Sequence, residues 1–161
     1  MKMRSEYLLS FCILFISISL FALVDDKDEN EIAQLFQKRI DAIHNRDVSL
    51  IEQIYAHDPN ALYFREQKIY KGWNTYHEYW KAGLKELTPH IKLSFKNLKI
   101  HLSNKSAWCT MTYHIEIKEE EAKPSKTWGY MTVILEKRDS RWQIIHENIG
   151  PAMEETSPES K

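Results

Sequence analysis

Residues 129–148 read GYMTVILEKRDSRWQIIHEN, two alternating apolar runs on either side of Asp139–Ser140. Alternation with a period of two marks strands, and a two-residue polar break between such runs marks a tight hairpin. The break also sets a register. With Arg138 facing Arg141, Leu135 faces Ile144, Val133 faces His146 and Met131 faces Asn148. Directly paired residues share a sheet face. His146 and Asn148 are therefore expected beside Met131, Val133, Leu135 and Ile144, on the core side. Ile134 with Ile145, Thr132 with Glu147 and Glu136 with Gln143 are expected on the outer side.

The same period extends backwards from this hairpin. Residues 90–102, 105–118, 127–137 and 141–149 form four strand-like runs, with a tight turn at Ser103–Asn104 and a looser polar link through EEEAKPSK. The strand before the hairpin places Ala107, Cys109, Met111, Tyr113 and Ile115 on one face, which should join Met131 and Val133. Upstream of residue 90 the period is helical. Ile32, Leu35, Phe36, Ile40 and Ile43 form one stripe, with Asp28 available as a cap. Asp47 is placed to cap a second, short helix that Pro59 stops. ALYF and KIY flank REQ as a hairpin of two or three pairs. After Gly72, WNTYHEYWKAGLKEL puts Tyr76, Tyr79, Trp80, Gly83, Leu84 and Leu87 on one face of a third helix. Three helices followed by an antiparallel meander predict an α+β domain, with the helices covering one face of a curved sheet.

The chain has 161 residues, enough for one domain, and a formal net charge of −1. Its basic residues are interleaved with acidic ones, which argues against a nucleic-acid partner. Lys2 and Arg4 precede the apolar run LLSFCILFISISLFALV, and DDKDEN ends it sharply. That layout predicts an export signal over residues 1–24 and hence a periplasmic or secreted protein. Residues 7–24 are also about long enough to anchor the chain in a membrane if uncleaved. Without this leader only Cys109 remains, so the domain at 25–150 has no internal disulfide. Residues 151–161 carry too little apolar content to fold and read as a mobile tail.

The sequence resembles the SnoaL-like branch of the nuclear transport factor 2-like superfamily over about residues 28–149. The resemblance lies in NRDVSLIEQIY, in IYKGWNTYHEYW and above all in the 129–148 segment, where Thr132, Trp142, Ile144 and His146 match the family's final strands. Asn148 stands where the family commonly has a second histidine, and Gly150 where it has a serine. The resemblance implies a cone-shaped α+β fold with a pocket between helices and sheet, dimeric through the outer sheet face. It leaves chemistry open, because the superfamily includes isomerases, cyclases, dehydratases, binding domains and association modules. The aspartate base of ketosteroid isomerase-like members has no counterpart in ALYFRE.

Three readings follow. The first is a domain binding a small, largely apolar molecule, with Tyr55, Tyr63, Trp80, Tyr113, Met131, His146 and Asn148 lining the pocket. The second is an acid–base enzyme in which His146 transfers protons; the plain alternative for His146 is a structural hydrogen bond. The third is an association module using an outer face of Trp108, Trp128, Tyr130, Ile134 and Ile145, which is also the expected homodimer surface. The seven histidines are scattered without ligand spacing, and no glycine-rich phosphate loop occurs. Neither a metal nor a cofactor is expected.

Overall fold

The computed structural model describes residues 27–65, 67–87, 90–118, 124–151 and 153–154. The expected signal segment lies outside these residues. Helix α1 runs over residues 27–45 and buries Ile32, Leu35, Phe36 and Ile43, as the stripe predicted. Asp28 lies inside this helix, and its carboxylate receives the Lys137 ammonium and, at 3.2 Å, the Trp142 indole N–H. It ties the helix to the sheet. Asp47 caps α2 (Val48–Ile54), accepting the Ser49 and Leu50 amides at 2.8 and 3.2 Å. These are two of the donors a helix start leaves unmet.

Gly72 then admits the chain to α3 (Trp73–Glu86). Its φ of +75° and ψ of 153° suit glycine alone, and a Cβ there would lie 2.7 Å from the Pro59 carbonyl oxygen. The helix buries Trp73, Tyr76, Trp80 and Leu84.

The strands are β1 (Leu62–Arg65), β2 (Lys68–Lys71), β3 (Ile91–Ser103), β4 (Ser106–Ile117), β5 (Ser125–Arg138), β6 (Arg141–Ile149) and β7 (Met153–Glu154). They form one sheet in the order β2-β1-β6-β5-β4-β3, with β7 on β5. All pairs are antiparallel except β1 with β6. The β1–β2 hairpin has four pairs, longer than the sequence suggested. The β3–β4 turn sits one residue later than expected, with Asn104 at φ 56°, a conformation asparagine tolerates. Met153 and Glu154, read as part of a mobile tail, pair with Trp128 and Thr127.

The face assignment of β4 holds: Ala107, Cys109, Met111 and Tyr113 are buried with Leu135, Val133 and Met131 opposite. Gly129, paired with Tyr113, leaves the space that ring occupies, since a Cβ there would come within 2.6 Å of the ring carbon bearing the hydroxyl. The Tyr113 hydroxyl crosses to donate to the Gly150 carbonyl at 2.9 Å.

The hairpin that opened the sequence reading turns through Asp139 and Ser140, with φ of 48° and 62°, as a tight turn with two left-handed residues does. Arg138 faces Arg141 and Leu135 faces Ile144, as expected. One pair later the register shifts, and His146 faces Ile134, Glu147 faces Val133 and Asn148 faces Thr132. Ile145 is an inserted, bulged residue. A single extra residue turns every later side chain to the opposite face. The inward placement of His146 and Asn148 is therefore corrected: both lie on the outer face, and the residue pointing into the core is Glu147. The expected Ile134–Ile145 pair does not form either.

Two substitutions separate the demands on the glycines. Gly72→Ala should cost about 3 kcal/mol, the upper range for a residue forced into a glycine-only region. Gly83→Ala, with nothing within 4 Å of the added carbon, should stabilise α3 by about 0.5–1 kcal/mol. Urea unfolding midpoints of the two variants should move in opposite directions.

Candidate functional site

Glu147 is completely buried, and the bulge at Ile145 aims it at α1 and α3. The neighbouring strand β1 fixes the same orientation, pairing Tyr63 with Glu147. Arg39, on the apolar stripe of α1 and 2% exposed, meets the carboxylate with both terminal nitrogens, Nη1 to Oε2 at 2.6 Å and Nη2 to Oε1 at 3.4 Å. The Tyr55 hydroxyl donates to Oε2 at 2.9 Å, and the Tyr76 hydroxyl donates to Oε1. Four donors thus converge on one carboxylate. Burial alone would raise its pKa. The charges of Arg39 and Arg65, with the bonds from Arg39 and Tyr76, outweigh that and hold Glu147 below the ordinary carboxyl range. Burial, reinforced by the Glu147 charge, pushes the Tyr55 and Tyr76 hydroxyls well above theirs, so both remain neutral donors.

Around this cluster stand Tyr63, stacked on Tyr76 with ring centres 4.2 Å apart, and Trp80, tilted against Tyr55 and edge-on to Tyr76. The Arg39 and Arg65 guanidinium carbons each lie 5.2 Å from the Trp80 ring centre, within cation–π range. Arg65 also lies 5.2 Å from the Tyr79 ring and is hydrogen-bonded to Tyr76.

Beside the cluster lies an open cavity of about 240 Å³ between α3 and the concave sheet face. Its walls are apolar, from Leu84 and Leu87 of α3 and its end, Ile91, Leu93 and Phe95 of β3, Tyr113 and Ile115 of β4, and Met131 of β5. Ile149, Gly150 and Pro151 complete it at the end of β6. Arg39, Arg65, Tyr79 and Trp80 supply its polar part.

Of the residues singled out from sequence, the structure brings Trp80, Tyr113 and Met131 together on this cavity. Tyr55 and Tyr63 are fully buried behind it and do not line it. His146 sits outside, its ring 5.5 Å from that of Phe64, and Asn148 is exposed on the same outer face. Sequence reasoning missed Arg39, Arg65 and Glu147. For Arg39 a signal existed: it falls between Leu35, Phe36 and Ile43 on the buried stripe, where a cation demands a buried anion. No metal-holding cluster of His, Cys, Asp or Glu occurs among the described residues. Cys109 is buried, which pushes its thiol up to about 12 and away from reactivity.

The model of the SnoaL-like domain family matches residues 32–154. No curated protein matches the chain. Among solved structures, a nuclear transport factor 2-like superfamily protein from Salmonella enterica serovar Typhimurium superposes with a TM-score of 0.70 at 16% identity, over 85% of this chain and 99% of that one. A nuclear transport factor 2-like protein of unknown function from Pseudomonas putida gives 0.69 at 22% identity, over 83% and 98%. Another from Shewanella oneidensis gives 0.61 at 21%, over 77% and 99%. At these identities the likeness is one of fold.

Removing one member of the buried pair should be costly, since the other charge is then left in the core. Glu147→Gln is expected to lose about 3–5 kcal/mol, and Tyr76→Phe about 1.5–3 kcal/mol. His146→Ala, on the outer face, should lose under about 1 kcal/mol. A carboxyl whose pKa is depressed on folding contributes fully above its ordinary value of 4.5 and loses that contribution as pH falls through the depressed value. Stability of the native chain should therefore drop as pH falls below about 4.5, with this component absent in Glu147→Gln. Urea titrations at a series of pH values read all four.

Proposed function

Because the chain belongs to the SnoaL-like domain family, we propose that it is a binding domain that holds a small, largely apolar molecule between α3 and the concave sheet face. The single observation carrying this reading is the open cavity, apolar on most of its wall and polar at the Arg39–Arg65–Trp80 end. Pockets of that make-up, with a few convergent polar groups, suit small molecules. The acid–base reading through His146 has no geometric support, because that imidazole lies on the other side of the sheet. Glu147 does not replace it. Both its oxygens are occupied, and its ionised form is the one its neighbours favour.

We propose further that residues 1–24 direct export, on the charge and apolar layout of that segment. Sequencing the N-terminus of the protein from its host checks this, and a soluble cytoplasmic protein with Met1 intact would end it.

A second surface supports self-association. Trp108, Tyr130 and Ile134 are 47%, 60% and 38% exposed on adjacent strands β4 and β5, with Trp108 directly opposite Ile134. The His101 ring stacks on Trp108 at 3.7 Å, extending the patch. Leaving such a surface wet is unfavourable by about 25 cal/mol per Å² of apolar area. A homodimer through this face would cover it.

Gly83 allows the cavity to be closed without disturbing the core, because it lines the cavity and meets no atom within 4 Å of its missing Cβ. Gly83→Phe should keep the native circular dichroism and abolish binding of the uncharged fluorophore N-phenyl-1-naphthylamine; equal binding by both proteins would refute the cavity as the site. For the outer face, Ile134→Lys should give a folded monomer in sedimentation equilibrium, where the native chain gives a dimer.

A further inference from the structure

We propose that the molecule held in this cavity is a carboxylic acid with an apolar body, bound as its anion with the carboxylate at the Arg39–Arg65–Trp80 end. The proposal rests on the binding reading above and specifies its ligand.

Two guanidiniums and one carboxylate meet at this end, Arg39, Arg65 and Glu147, and these three groups sum to one positive charge. Glu147 takes the Nη1 and Nη2 donors of Arg39. The Nε–H of Arg39 and the indole N–H of Trp80 have no hydrogen-bond partner, although their residues are only 2% and 4% exposed and both line the cavity. Buried donors left unmet cost free energy, and a ligand that accepts from them recovers it. Apart from the Tyr79 hydroxyl, which also accepts, the polar side chains at this end are donors or cations, so the complementary ligand group accepts and carries negative charge. A carboxylate does both with two oxygens. An ammonium would oppose two cations and add donors to donors. A hydroxyl would supply one acceptor oxygen, bring a further donor and carry no charge.

The rest of the wall is apolar: Leu84, Leu87, Ile91, Leu93, Ile115 and Met131. It offers no second polar cluster, so the body of the ligand is hydrocarbon rather than sugar-like. Its size follows from the cavity. At roughly 30 Å³ for each water-sized group, about eight non-hydrogen atoms fill 240 Å³, and the open mouth accommodates a few more. Octanoate matches this in length and charge.

The test displaces N-phenyl-1-naphthylamine from the full chain with octanoate, octan-1-ol and octylamine at neutral pH. Octanoate is expected to displace it at tenfold or more lower concentration than octan-1-ol, with octylamine weakest. Arg65→Met should abolish the preference for the acid, so that octanoate and octan-1-ol displace the fluorophore at the same concentration. Trp80→Phe, which keeps the aromatic wall and removes one donor, should weaken octanoate several-fold more than octan-1-ol, and serves alone if Arg65→Met fails to fold. Equal potency of acid and alcohol on the native protein would overturn the proposal and leave the binding reading standing. Failure of the native chain to bind the fluorophore or any of the three compounds would overturn the binding reading itself.

Discussion

The contact between Arg39 and Glu147 is the constraint around which the interior is arranged. It joins the middle of the first helix to the last long strand, through bonds of 2.6 and 3.4 Å between residues 108 positions apart, Arg39 being 2% exposed and Glu147 fully buried. Two charges in such a place are tolerable only when they meet in close geometry and further hydrogen bonds reach the carboxylate. Tyr55, at the end of α2, and Tyr76, on α3, complete the carboxylate, so all three helical segments are indexed to one side chain on β6. An apolar contact tolerates sliding. Four directed bonds to two oxygen atoms do not.

That constraint also explains the bulge. With regular pairing from the Asp139–Ser140 turn, Glu147 would face outward and His146 inward, leaving the Arg39 guanidinium in the core without its anion. The inserted Ile145 exchanges them. The ladder loses one regular pair, and a buried cation gains its carboxylate. Parallel pairing of β1 locks the outcome, since Tyr63 and Glu147 point inward together while Leu62 and Phe64 accompany His146 and Asn148 outside.

The element order, the helix stripes and the strand faces before Ile145 were legible in the sequence because each rests on a repeating period that many residues share. The Arg138–Arg141 and Leu135–Ile144 pairs were legible for the same reason. A bulge is a break in the period, set by distant groups that no local window contains. The run Ile144–Ile145 offers an apolar side chain to both faces, so hydrophobicity does not reveal where parity changes. Trp80, Tyr113 and Met131 were found as cavity residues because each keeps the period of its element; His146 and Asn148 were misplaced because both lie beyond the break. Arg39 carried the one usable clue, a cation on a buried stripe, and following it would have required choosing between Glu147 and every other carboxylate in the chain.

A buried ion pair is weak evidence of stability, because well-packed apolar residues of similar volume are often as stable or more so. The fold could in principle have filled this volume with leucine and phenylalanine, as it does at Leu35 and Phe36. What an apolar replacement could not do is hold a guanidinium rigidly at the wall of a cavity. Engaging Nη1 and Nη2 with Glu147 fixes the plane of Arg39, stacks it over Trp80 at 5.2 Å and leaves Nε without a partner. Arg65, bonded to Tyr76 and set over Trp80 and Tyr79, is fixed by the same aromatic frame. Groups held this way need little reordering when a partner arrives, and preorganisation is what turns a buried charge into affinity. The cost of burying the ions is met within the folded chain, and Arg39, Arg65 and Trp80 are already in place in the cavity lining.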